Sequence, residues 1–127
     1  MSQLRAGRRK LLAAAELLVL AVALAAAAPA PSADQASPKV VKLRFENDRV
    51  RVLETISNPG DREQMHSHPA NVVLVLTGGK LRITGDDGKT GDVEFKTGDT
   101  LWRTPVTHAA ENVGSTQLHA IIVELRN

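Results

Sequence analysis

From about residue 39 onward, short hydrophobic runs alternate with short polar ones, and hydrophobic residues do not recur every three or four positions as they would in a helix. Runs rich in Val, Ile, Leu and Thr are separated by Gly, Pro, Asn and Asp, which favour turns. This pattern predicts nine strands, at residues 40–45, 50–56, 63–68, 72–77, 80–84, 92–96, 100–103, 108–112 and 117–125. So many short strands in about 90 residues indicate an all-β antiparallel sandwich or barrel.

The individual runs predict which strand faces are buried. Residues 50–54 and 80–84 alternate in part between apolar and polar side chains, as expected of strands with one buried face. Residues 72–76 are apolar throughout, which predicts a strand that is covered on both faces. Residues 86–89 are expected to form the tip of a hairpin.

The N-terminal segment has a different composition. Arg5, Arg8, Arg9 and Lys10 precede a Leu/Ala/Val-rich stretch, residues 11–28, that only Glu16 interrupts. A basic region followed by an apolar one is typical of an export signal, here residues 1–28. A membrane anchor is the alternative, but 18 mainly apolar residues stand at the lower limit for crossing a bilayer. We expect the signal to be removed, leaving no stable membrane span.

The export route stays open between two systems. The pair Arg8-Arg9, followed by Lys-Leu-Leu, fits a twin-arginine signal as well as a general secretory one. Either route predicts a periplasmic or secreted protein. After the signal, residues 29–38 are rich in Ala, Pro and Ser and are interpreted as a linker. Residues 39–127 then form one folded domain with one small core.

Removal of the signal changes the charge balance. The whole chain carries a formal net charge of +2, but from residue 31 onward 12 Lys and Arg stand against 13 Asp and Glu. No basic surface remains that would predict nucleic-acid binding. The chain has no cysteine, so neither a disulfide nor a thiolate ligand is available. Histidines are therefore the candidate metal ligands.

Two of the four histidines stand in the tripeptide His66-Ser67-His68. Side chains at i and i+2 of a strand project from the same face, so both imidazoles point the same way. His108, on a later predicted strand, would bring a third imidazole to the same point. Three imidazoles around one point form a metal site.

The residues around these histidines resemble the two conserved motifs of the cupin family. Gly60, five intervening residues and His66-Ser67-His68 resemble the first half of G-x5-H-x-H-x3–4-E-x6-G, and Gly79 stands where that motif ends. Gly98-Asp99, Pro105, His108 and Asn112 resemble the second motif, G-x5-P-x-G-x2-H-x3-N. The resemblance covers the whole predicted domain. It implies a single small β-barrel of the jelly-roll type, a double-stranded β-helix, with one divalent metal ion inside.

Two departures from the motifs matter for the site. The metal-binding glutamate is missing, and continued alternation from His68 predicts that Val72 fills its place. Asn71 would offer a carbonyl oxygen only if the turn bends its side chain inward. The second motif is also one residue short, and Thr107 stands at its internal glycine.

The predicted centre therefore consists of His66, His68 and His108 with open positions for water or substrate. Three neutral ligands leave the divalent charge uncompensated, which favours an anionic small-molecule ligand. The site resembles the three-histidine sites of some cupin dioxygenases. The ligand set does not distinguish Fe, Mn, Zn, Cu and Ni, although loading in the cell envelope would favour Cu and Zn and cytoplasmic loading would permit Fe or Mn.

For several other residues near the motifs, the sequence leaves more than one role open. Gln64 is expected to point into the barrel, as a positioning residue or a polar rim residue, and Trp102 either lines the pocket or fills the core. Arg103 either attracts an anionic substrate or is solvated. His119 is expected on the surface or behind the ligands, and Asn112 is expected to fix a turn. No second acid or base is evident near the motifs, since Glu111 alternates away from His108.

Three functions follow as alternatives. The first is a metal-dependent dioxygenase acting on a small anionic metabolite. The second is a non-catalytic periplasmic module that binds metal or a small ligand, and the third is a metal-free structural barrel. The cupin resemblance also implies a homodimer that pairs strand 40–45, or its neighbours, across subunits.

Overall fold

The structure is a computed structural model that describes residues 28–127. The predicted export signal lies outside the described residues, apart from Ala28. Within the described part, no helix has the length and hydrophobicity needed to cross a membrane.

The described chain folds into nine strands and one short helix. The helix α1 spans Ala33–Ala36. The strands are β1 (Val41–Glu46), β2 (Val50–Ser57), β3 (Arg62–His68), β4 (Asn71–Thr77), β5 (Gly79–Gly85), β6 (Thr90–Phe95), β7 (Thr100–Arg103), β8 (Val106–Asn112) and β9 (Leu118–Leu125). All nine predicted strands are confirmed, with ends that differ by at most two residues.

The strands form two antiparallel sheets that pack face to face. The larger sheet has the order β1-β2-β9-β4-β7, and the smaller one has the order β3-β8-β5-β6. Apolar side chains from the inner faces meet between the sheets, because burying one face of each sheet removes that surface from water. The buried apolar core consists of Ala33, Val40, Val41, Leu53, Val73, Val75, Leu81, Ala110, Leu118, Ala120 and Ile122.

Two turn glycines of the predicted motifs have backbone angles that only glycine adopts easily. Gly60 has φ = 88° and Gly98 has φ = 90°. A side chain at such positive φ values is strained, which explains why both turns carry glycine. Gly60 directs the chain into β3, where two of the histidines lie, and Gly98 precedes β7.

The segment predicted as a linker is instead packed against the domain. The backbone N–H of Ser67 donates to Pro31 O at 2.9 Å, and that of Gln64 donates to Ser37 Oγ at 2.8 Å. Ala33 is fully buried. Residues 31–38 therefore lie along the edge of β3, the strand that carries two of the histidines, which their Ala/Pro/Ser composition did not indicate.

Strand β4 differs from its predicted burial. Leu74 and Leu76 are each 41% exposed, whereas Val73 and Val75 are buried. The strand therefore has one covered face and one exposed face. The uninterrupted apolar run reflects an apolar outer surface on the larger sheet and not a second covering layer.

Candidate metal centre

The three motif histidines meet between the two sheets. His66 and His68 lie on the same face of β3, and His108 lies directly opposite His66 on the neighbouring strand β8. Their exposed fractions are 1%, 3% and 4%. One nitrogen of each ring lies within 4.8 Å of the corresponding nitrogens of the other two. The alternation of β3 thus places the pair as predicted, and strand pairing supplies the third imidazole.

Hydrogen bonds fix the orientation of two of the rings. His66 Nδ1 lies 2.7 Å from the backbone oxygen of Gln64, and His68 Nδ1 lies 2.6 Å from Glu124 Oε2. A carbonyl or carboxylate oxygen only accepts, so each Nδ1 must carry the hydrogen. In the neutral rings, the lone pair is then on Nε2.

These two lone pairs face each other. His66 Nε2 lies 3.0 Å from His68 Nε2, and neither neutral ring has a hydrogen to place between them. Two such nitrogens repel each other unless a cation lies between them. Metal–imidazole bonds of about 2.0–2.1 Å to one ion bring two nitrogens to about this separation. The residues present therefore fit a divalent metal ion.

Burial keeps two of the imidazoles neutral, as metal binding requires. Loss of hydration lowers the pKa of His66 to about 4, and the neighbouring charges of His68 and Arg103 contribute to the decrease. The pKa of His108 is lowered to about 3 by burial, with further contributions from the other two histidines and Arg103. Both rings are therefore neutral at neutral pH, and each has one nitrogen lone pair available to a metal ion.

Glu124, which the sequence analysis missed, supports the centre from the opposite sheet. It lies on β9, is 1% exposed, and accepts from His68 through one oxygen and from Arg51 at 3.0 Å through the other. Arg51 also pairs with Asp34 in α1 at 3.0 Å. A carboxylate behind a ligating histidine sets its tautomer and makes it a stronger ligand. No motif marks Glu124, since only the packing of the two sheets places it behind His68.

The prediction that Val72 takes the missing glutamate's place is wrong. Asn71 is fully buried and Val73 is 4% exposed, whereas Val72 lies on the partly exposed outer face. His68 and Asn71 belong to different sheets, so the alternation does not continue through the turn between them. Asn71 Nδ2 donates to Pro69 O at 2.9 Å, and its buried Oδ1 has no partner among the described residues.

The prediction that Gln64 points into the barrel is also wrong. Its side chain is exposed, and Glu63 is buried in its place, 8% exposed. The register of β3 against β8 shifts between Glu63 and His66, and this irregularity reverses the alternation. The contribution of Gln64 to the histidine cluster is its backbone oxygen, which accepts a hydrogen bond from His66 Nδ1.

Glu63 is the acid that the sequence analysis did not find near the motifs. It lines a cavity between the sheets together with Arg103 and His108. Burial raises the pKa of Glu63 to about 7, and the positive charge of Arg103 opposes that shift. The remaining lining is mainly apolar: Val73, Val75, Leu81, Ile83, Phe95, Ala110, Leu118, Ala120 and Ile122, with Thr55.

The other predicted residues lie as follows. Arg103 lines the cavity and is also partly exposed to solvent. Trp102 is 60% exposed and belongs neither to the pocket nor to the core. Successive side chains of β7 face opposite sides, and the side that faces the cavity is that of Arg103. His119 lies near Glu54, 3.3 Å away, outside the cluster, as expected. Asn112 Nδ2 donates to Ser57 O at 2.8 Å and fixes a turn, also as expected.

The structure is similar to several solved structures, although the sequence matches no protein-family model and no curated protein. A cupin domain from Bordetella pertussis Tohama I is 24% identical, with a TM-score of 0.64 over 79% of this chain and 99% of that one. An RmlC-like cupin with a double-stranded β-helix fold from Methanocaldococcus jannaschii is 17% identical, with a TM-score of 0.54 over 68% of this chain and 79% of that one. A predicted oxalate decarboxylase from Thermotoga maritima is 22% identical, with a TM-score of 0.51 over 68% of this chain and 79% of that one. The described chain thus has the cupin fold, a double-stranded β-helix built as a small single domain.

Proposed function

We propose that this protein is an exported, metal-dependent cupin that acts as a dioxygenase on a small anionic molecule. The observation that carries the proposal is the pair of bare Nε2 atoms of His66 and His68, 3.0 Å apart in a buried site. With His108 they supply three neutral nitrogen ligands. A divalent ion bound to three such ligands supplies Lewis-acid chemistry to a bound anion and, if redox-active, oxygen chemistry.

The chain's own residues would perform distinct tasks. His66, His68 and His108 bind the ion, and Glu124 orients His68. Arg103 attracts the anion, and the apolar cavity walls exclude water from it. Glu63 holds or releases a proton near neutral pH, because its pKa is about 7.

A direct assay separates this proposal from a metal carrier. Protein loaded with Fe(II) or Cu(II) is mixed with a panel of short-chain carboxylates, small diketones and thiols, and oxygen uptake is recorded. The proposal predicts uptake that His68→Ala abolishes and that His119→Ala, a histidine outside the cluster, leaves unchanged. Stoichiometric metal binding without oxygen uptake over the whole panel would refute the enzyme.

A non-catalytic binding module is the second candidate, and the size of the cavity favours it. The space for water-sized molecules is only about 40 Å³, roughly that of three waters. Such a cavity admits a very small ligand at most. Under this alternative, the protein holds one metal ion per chain and shows no turnover in the assay above.

Export remains a proposal that is supported by the basic and apolar pattern of residues 1–28. The test is expression of the full chain in a Gram-negative host, fractionation, and N-terminal sequencing of the product. A periplasmic protein that begins near residue 29 would support export. Full-length protein in the cytoplasmic fraction would refute it.

A homodimer also remains a proposal. Strand β1 is at one edge of the larger sheet, where a second copy has access to it. On the outer face of that sheet, one cross-strand row is apolar in every strand: Phe45, Val52, Val123, Val72 and Trp102. Phe45 and Trp102 are 54% and 60% exposed. A second copy that packs on this row would remove it from water.

A further inference from the structure

Arg103 is a half-buried cation with no close anionic partner. It is the last residue of β7 and lines the cavity together with His108 and Glu63. Among the described residues, no carboxylate oxygen lies within 4.0 Å of a guanidinium nitrogen of Arg103. The buried Nε of Arg103 has no hydrogen-bond partner among them either. Burial lowers the pKa of Arg103, and only the charge of Glu63 opposes this. A guanidinium that is partly removed from water and has an unpaired N–H is stabilised when an anion binds to it.

Arg103 also lies near the histidine cluster. Its charge contributes to the lowered pKa of both His66 and His108, so the guanidinium lies within electrostatic reach of the cluster. Arg103 and His108 line the same cavity. A small ligand in that cavity therefore lies against both the guanidinium and one member of the histidine cluster, His108.

The charges in the cavity select the type of ligand. A divalent ion and Arg103 together carry three positive charges, and Glu63 removes at most one. Glu124 pairs with Arg51 and with His68 and is not among the residues that line the cavity. A planar guanidinium binds a carboxylate through two parallel N–H bonds, a geometry that matches carboxylate better than other small groups.

The size of the cavity limits the ligand further. About 40 Å³ of space corresponds to roughly three water molecules. Apart from Glu63, Arg103, His108 and Thr55, the walls are apolar. The space suits a carboxylate that bears one or two carbons, and it excludes an aromatic acid.

We propose that Arg103 is the residue that binds the carboxylate of a small aliphatic acid, which it holds in the cavity beside the three-histidine centre. This inference rests on the proposed function for the role of the metal, but the arginine site itself needs no metal. Glu63 lies in the same cavity and repels the bound anion when it is ionised. Binding therefore depends on two side chains with opposite effects.

The test is isothermal titration of acetate into the metal-free and the zinc-loaded protein at fixed ionic strength. Arg103→Gln is expected to raise the Kd for acetate at least about tenfold in both forms, since it removes a charge-assisted hydrogen-bond pair. Arg44→Gln, which removes an exposed arginine of the same charge, is expected to leave the Kd unchanged. Acetamide and benzoate should bind far more weakly than acetate.

A second variant covers the case in which Arg103→Gln does not fold. Glu63→Gln removes the opposing carboxylate at nearly constant shape and is expected to lower the Kd for acetate. A gain in affinity cannot result from a damaged fold. Unchanged or weaker acetate binding in Glu63→Gln would contradict the inference.

The remaining outcomes separate the two proposals. Equal acetate binding in the wild type and Arg103→Gln, or no acetate binding at all, would overturn the inference while zinc uptake still supports the metal centre. Equal binding of acetamide would also overturn it. Acetate binding that depends on Arg103 in a protein that takes up no zinc would support the inference and refute the metal-dependent function.

Discussion

Replacement of Glu124 by Gln tests how the metal centre is held. The side chain is 1% exposed and accepts from His68 Nδ1 at 2.6 Å. Glutamine keeps the size of the side chain but removes its negative charge. The amide is a weaker acceptor for His68 Nδ1–H, so the lone pair on Nε2 becomes a poorer ligand.

The size of the effect follows from these contacts. Loss of a carboxylate behind a ligating histidine typically weakens metal binding about 10- to 100-fold, or about 1.4–2.7 kcal/mol. Arg51 does not become unpaired, because Asp34 and Glu46 remain within 3.0 Å and 2.9 Å of it. The loss should therefore appear in metal affinity more than in the stability of the metal-free protein.

The assay is a competition titration with a chromophoric zinc chelator at pH 7. Glu54→Gln is the matched control, since Glu54 also pairs with a histidine, His119, at 3.3 Å, but outside the centre. We expect the Kd for zinc to increase about 10- to 100-fold in Glu124→Gln, as is typical when such a carboxylate is lost. The Kd should stay unchanged in Glu54→Gln. A Kd in Glu124→Gln equal to that of the wild type would refute the role assigned to the carboxylate.

Three further predictions concern pH and assembly. Because folding lowers the pKa values of His66 and His108 to about 4 and about 3, the folded state binds fewer protons, and metal-free protein should lose stability as pH falls below about 6.5. At pH 5 the loss due to the two histidines should reach about 4 kcal/mol in urea unfolding of Glu63→Gln, which lacks the opposing titration of Glu63, and a flat profile in that variant would contradict it. The raised pKa of Glu63, about 7, has the opposite sign, so Glu63→Gln should be more stable than wild type at pH 8 by about 3 kcal/mol, with the difference vanishing near pH 4.5. Light scattering should give a dimer that Trp102→Glu dissociates and Met65→Glu, on the other sheet, does not; a monomeric wild type would count against it.

The strands and the ligands were predictable because they depend on local rules. Alternation with a period of two places His66 and His68 on one face, and turn residues mark the ends of the strands. These two signals depend on neighbours in the sequence, which a single sequence displays directly. His108, 40 residues after His68, was instead assigned through the resemblance to the second cupin motif.

The surroundings of the ligands were not predictable in the same way. The register shift in β3 buries Glu63 and exposes Gln64, and the crossing between sheets after His68 turns Asn71 inward. Glu124 reaches His68 from a strand 56 residues later in the chain. Such features depend on a bulge, a sheet crossing and inter-sheet packing, none of which leaves a local pattern in the sequence.

The central claim is that the buried histidine cluster binds one divalent metal ion, and zinc stoichiometry tests it most directly. Metal-free protein is titrated with zinc at pH 7, and the bound metal is measured by elemental analysis after gel filtration. The account predicts one zinc ion per chain in the wild type and in His119→Ala, and none in His68→Ala or His108→Ala. Zinc uptake by the cluster variants equal to that of the wild type, or no uptake by the wild type, would contradict it.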